Sequence, residues 1–106
     1  MSLPPVTRGD VLEAMRRFDQ GERSPIWRVS DKDWTDVDRH HWAVPHGGQL
    51  YPVKEIIRLA ARTTTGEWPA TFWGGTGTAR FLRRLGFTPA RRADWASARQ
   101  ASRGME

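Results

Sequence analysis

The sequence predicts a small α+β domain of about three helices with one β-hairpin. Two observations carry that prediction. Three segments repeat apolar residues at helical spacing: Val11, Met15 and Phe18; Val53, Ile56, Ile57 and Ala60; and Thr78, Phe81, Leu82 and Leu85. Between the first two, short apolar runs flank Gly47-Gly48, as in a hairpin. A chain of 106 residues suffices for one domain and is too short for two separate cores.

Residues 1–6 read as a disordered lead, and residues 7–90 as the folded, DNA-binding domain. Thr7 suits an N-cap, with Asp10 three residues on to complete a capping box. The first helix then runs over 8–20 and stops at Gly21. Pro25 to Val29 is a strand or an extended packing segment, and 30–39 a polar, acidic loop. The hairpin pairs the run at 41–44 with the run at 49–51, and Pro45 limits it because proline cannot donate to a ladder. Pro52 opens a second helix over 52–63, which stops near Gly66. A loop from Gly66 to Gly77 holds Trp68, Phe72 and Trp73. The third helix starts near Thr76 or Thr78 and ends at Gly86, with Phe87 as the apolar contact that accompanies such a cap. Residues 91–106 form either a basic tail or a short helix over 94–103. A second helix, a connection and a third helix, with the hairpin as a wing, make a winged-helix-like arrangement by analogy; the connection is longer than a standard turn.

Charge is divided unevenly. Residues 1–53 balance at −1 and residues 54–106 at +6, for a net +5. No carboxylate lies between Glu67 and Asp94, a distribution that suits a polyanion partner. The plainer alternative is a solvated basic face. There is no cysteine, which excludes disulfides and thiolate metal sites. No apolar run approaches a membrane span and the N-terminus lacks the pattern of a secretory signal, so a cytoplasmic protein with no membrane partner is expected.

Three constellations bear on function. Gly74-Gly75-Thr76-Gly77-Thr78 leads into the third helix, where positive-φ glycines and a helix start would aim N–H groups at a phosphate. The alternative is a tight loop that lets Phe72 and Trp73 pack inward. The second is Arg80, Arg83 and Arg84 on one helical face, followed by Arg91 and Arg92; guanidinium forks bind phosphates bidentately and read guanine edges. Arg80 and Thr78, nearest the helix start, are the candidates for base contact, and Lys54 is a further phosphate contact. The third is Trp42, Tyr51 and Trp73, an aromatic pocket for a flipped or modified base if they are not simply core.

The acidic run from Asp31 to Asp38 is not a calcium loop, because the positions requiring glycine and glutamate hold Asp36 and Trp42. His40 and His41 are adjacent and point to opposite strand faces, so at most one could join His46 on a metal. Neither a metal nor a cofactor is expected, and no grouping forms a local catalytic signature, so the chain is not read as an enzyme.

The run His46-Gly47-Gly48-Gln49-Leu50-Tyr51-Pro52-Val53-Lys54-Glu55-Ile56-Ile57, then Phe72-Trp73-Gly74-Gly75, then Arg80-Phe81-Leu82-Arg83-Arg84-Leu85-Gly86-Phe87, resembles the N-terminal domain of ScoMcrA-like restriction endonucleases. The likeness covers about residues 8–90. In that family the domain precedes modules that read modified DNA and an HNH nuclease that cuts it. The resemblance implies a role in handling DNA, including modified DNA, in host defence. It maps Lys54 onto the lysine of the Tyr-Pro-x-Lys motif, and Gly74 and Gly75 onto the loop glycines.

Together these readings point to a module that binds double-stranded DNA through Lys54, Gly74, Gly75, Thr76, Thr78, Arg80, Arg83, Arg84, Arg91 and Arg92. The alternative is a protein-interaction module that docks on a separate nuclease or defence partner through its acidic first half. A minimal nuclease is the third and weakest class.

Overall fold

In the computed structural model, residues 5–27, 33–36, 40–69 and 75–104 are described. They form an α+β domain with four helices and a three-stranded antiparallel sheet. In chain order these are α1 (Arg8–Asp19), β1 (Trp42–His46), β2 (Gln49–Pro52), α2 (Val53–Thr65), α3 (Gly75–Arg84), β3 (Ala90–Arg91) and α4 (Trp95–Ala101). Short 3-10 turns occupy Trp34–Asp36, Arg92–Asp94 and Ser102–Gly104.

α1 starts as its sequence dictates. The Thr7 side chain accepts from the Asp10 N–H, and the Asp10 carboxylate accepts from the Thr7 N–H at 2.9 Å, satisfying two donors that have no partner within the helix. Its stripe of Val11, Ala14, Met15 and Phe18 is buried, chiefly against α2. α2 buries Val53, Ile56, Ile57, Leu59, Ala60 and Ala61, which makes it the central element of the core. It ends where Gly66 turns left-handed, with φ +79°.

The hairpin turns on Gly47 and Gly48, with φ +58° and +81°, the double positive φ of a type I′ turn. This explains how Pro45 sits inside the central strand rather than ending it. In a two-residue hairpin the closing pair, His46 with Gln49, exchanges hydrogen bonds, so the next pair, Pro45 with Leu50, does not. The Pro45 nitrogen therefore faces away from β2. On that side β3 pairs only with Trp42 and Ala43, so the missing N–H deprives no partner.

The strand order is β2-β1-β3. The residues from Ala90 to Ser102 pack onto the hairpin and core. The Trp95 side chain is buried, its Nε1–H donates to the Ala90 carbonyl at 2.9 Å, and its ring packs on Trp34 at 5.5 Å. Ser102, also buried, accepts from the Gly48 N–H at 3.0 Å, and Arg99 Nε donates to the Gly48 carbonyl at 2.9 Å. The chain thus closes back onto the hairpin turn. Among the described residues, no helix is long and apolar enough to cross a membrane.

Candidate nucleic-acid interface

The residues singled out in the sequence fall into three groups. The first is an exposed basic surface. Arg80, Arg83 and Arg84 are exposed on α3, and Arg91 is exposed on β3. Trp42 joins the two elements: the Arg83 guanidinium lies 5.2 Å and that of Arg91 4.9 Å from its ring centroid. Trp42 and Arg91 are direct cross-strand partners, which fixes that contact in the sheet register. One half-buried indole thus holds arginines from two elements side by side.

The second group surrounds a cleft of about 590 Å³ beside that surface. Its aromatic wall is Trp27, His40, His41 and Trp42. The start of α2, with Lys54, Glu55 and Arg58, also lines the cleft, as do Thr76 and Arg91. Burial lowers the Lys54 ammonium from its usual range, and the neighbouring Arg58 charge adds to the shift. Glu55 is buried at 1% exposure, and its carboxylate accepts from the Ser24 N–H, from the Ser24 hydroxyl at 2.7 Å and from Arg58 at 3.2 Å. Glu55 therefore ties the chain around Ser24, next to the cleft residues Ile26 and Trp27, to α2 and orients Arg58. Pro52 supplies no side-chain cap, so the first turn of α2 relies on other groups for its N–H donors.

The third group is structural, and it corrects three expectations. Thr78 is fully buried, so it cannot meet a base; of its two sequence readings, apolar stripe and helix-start contact, packing selects the first. Arg92 is turned inward. Its guanidinium donates to the Thr35 carbonyl at 2.6 Å and the His40 carbonyl at 2.7 Å, which makes it a strut under the cleft wall rather than a phosphate contact. Tyr51 is core and not pocket: it is buried against Phe18, and its hydroxyl donates to Asp19 at 2.8 Å. Burial, then that carboxylate, pushes the Tyr51 hydroxyl well above its usual pKa.

The glycine-threonine loop is shorter than expected. α3 already begins at Gly75, so Gly75 and Gly77 lie in the first turn of the helix. Thr76 is exposed in that turn. Gly74 and Trp73 lie outside the described residues. Among the described residues, no group of three His, Asp or Glu side chains could hold a metal ion.

Sequence reasoning missed Trp27, His40, His41 and Arg58 as parts of one site. Arg58 carried a signal, since it stands four residues after Lys54 on the same helix face. The link from Ser24 to Glu55 spans 31 positions and left no local trace.

Fold and site define a small basic α+β module in which arginines from two elements gather around one tryptophan, Trp42, beside a cationic, aromatic-walled cleft. Residues 4–91 match the family of the ScoMcrA-like N-terminal head domain, and the chain belongs to that family. It is a restriction-related head domain. Neither a curated protein nor a solved structure matches the chain.

Proposed function

We propose that this head domain binds double-stranded DNA in restriction and host defence and leaves cleavage to a nuclease partner. The observation that carries the reading is the arginine surface held together by Trp42: exposed Arg80, Arg83 and Arg84 on α3, continuous with Arg91 on β3. Guanidinium forks on one face fit successive phosphates, and the segment that carries them holds no carboxylate between Glu67 and Asp94. Lys54, Arg58 and Thr76 extend the surface into the cleft. Arg80, nearest the exposed start of α3, is the proposed base contact. The proposal extends to modified DNA as the preferred target, which the likeness to ScoMcrA-like endonucleases supports, and to the cytoplasm as the site of action.

The test is fluorescence anisotropy of labelled duplexes, unmodified, methylated and phosphorothioated, across a salt series. Wild-type protein should bind with a steep salt dependence. Arg83→Ala with Arg84→Ala should lower the slope of log K against log salt by about two, one per lost phosphate contact. Arg92→Ala should leave that slope unchanged, since its guanidinium serves the fold. A double variant with wild-type slope would remove α3 from the interface. Absence of binding at low salt would sink the DNA reading and favour a protein-docking role.

A further inference from the structure

We infer that the cleft takes a single nucleotide turned out of the duplex, its base against the Trp42 and Trp27 wall and its phosphate among Lys54, Arg58 and Arg91. This rests on the duplex-binding reading above and states what the cleft beside that surface holds.

Size comes first. A cleft of about 590 Å³ falls within the ~300–1,000 Å³ of small-ligand sites and is too small for a base pair with its two backbones. Composition then narrows the class. A site for phosphate alone has no use for two indoles and two imidazoles, and a site for an apolar molecule has no use for three cations. A nucleotide asks for both. Its base has a flat π-face that stacks on aromatic rings whatever its identity, and its phosphate seeks guanidinium and ammonium groups. Among the described residues that line the cleft the one carboxylate is Glu55, and its oxygens already serve Ser24 and Arg58, so it steadies a cation and does not face the ligand as an open negative charge.

Position supplies the rest. Trp42 belongs at once to the cleft wall and to the arginine surface, where Arg83 and Arg91 lie against it. A strand whose phosphates sit on α3 and β3 therefore runs beside the cleft, which Thr76 of α3 and Arg91 of β3 help to line. The walls are also braced before any ligand arrives. Glu55 pins the segment before Trp27, the Trp27 and His40 rings lie against each other with centroids 5.8 Å apart at a tilt of 36°, and Arg92 holds the backbone at His40. A braced wall spends little ordering energy on capture.

The test compares two labelled duplexes that differ by one nucleotide, one fully paired and one carrying a single unpaired base, by anisotropy with the full chain over a salt series. Turning a base out costs least when it has no partner, so the unpaired duplex should bind at least tenfold more tightly. Trp42→Ala and, as a variant that spares the sheet, Lys54→Ala should each erase the difference, whereas Trp42→Phe should retain it. Tight binding of both duplexes alike, with a steep salt slope, would overturn the cleft inference and leave the duplex reading standing. A preference that survives both Trp42→Ala and Lys54→Ala would also overturn it, since the protein would then be reading the bend at the unpaired site. Failure to bind either duplex at low salt would overturn both readings.

Discussion

Replacing Glu55 with alanine should be among the most damaging single changes to this domain. The side chain is at 1% exposure and Ser24 at 5%, so water cannot replace what is lost. The variant leaves the Ser24 N–H and hydroxyl without their acceptor and deprives Arg58, whose side chain is 17% exposed, of its carboxylate. A hydrogen bond to a charged group contributes about 1.5–3 kcal/mol. Two such bonds, with the partner groups left buried, put the loss at roughly 3–5 kcal/mol, the range for removing one member of a buried pair. Against a total stability of about 5–15 kcal/mol this is a large fraction. At about 4 °C per kcal/mol for a domain of this size, Tm should fall by roughly 12–20 °C. Glu55→Gln should fall between the two, because its carbonyl can still accept from Ser24 while its NH₂ meets donors. Thermal unfolding followed by circular dichroism gives the answer. A Glu55→Ala variant within 1 kcal/mol of wild type would refute the view that this carboxylate fastens the 24–27 segment to α2.

Other changes test the remaining joints. Trp95→Ala should cost about 3–5 kcal/mol, the loss for a buried aromatic, with the bond to the Ala90 carbonyl also gone; denaturant unfolding measures it, and a cost below 1 kcal/mol would mean that α4 is dispensable. Gly48→Ala should cost about 1–2 kcal/mol, since φ there is +81° and a Cβ would stand 3.1 Å from Arg103 Cγ; Gly66→Ala has the same φ penalty without the contact and should cost less, which paired melts would check. The acid limb of stability should include exposed carboxylates at α1. Arg16 and Arg17 beside Glu13 hold its pKa at about 2 against an ordinary 4.5, and the Thr7 N–H lowers Asp10. Folded-state pKa values below the unfolded ones mean fewer bound protons in the folded state, so this contribution is complete above about pH 4.5 and fades as pH falls toward 2. Glu13→Gln should flatten that part of a stability-against-pH curve, and added salt should weaken the effect because the pair is exposed.

The candidate site was legible where its chemistry is local. Arg80, Arg83 and Arg84 stand off the apolar stripe of α3 by helical arithmetic alone, and the structure leaves them exposed. Lys54 and Trp42 were marked by residue type and do line the cleft. The burial of Thr78 and Tyr51 and the inward turn of Arg92 were not legible. A threonine on a stripe next to a helix start fits two environments, and only the neighbours decide which one it meets. Arg92 differs from Arg91 by one position, yet one guanidinium stacks on Trp42 while the other bonds carbonyls 52 and 57 residues away.

The same division runs through the fold. By itself the sequence determined α1 with its Thr7–Asp10 box, α2 with its stop at Gly66, the stripe of α3 and the turn at Gly47-Gly48. Each is set by periodicity or by backbone freedom within a few residues. Tertiary structure alone decided that Pro45 lies within a central strand, that two residues at 90–91 form a third strand, that Trp95 seals the core and that Ser24 meets Glu55. A two-residue strand has no period to detect. A buried hydrogen bond between distant positions follows from how helices and sheet stack, because desolvated groups must find partners wherever the packed chain brings them.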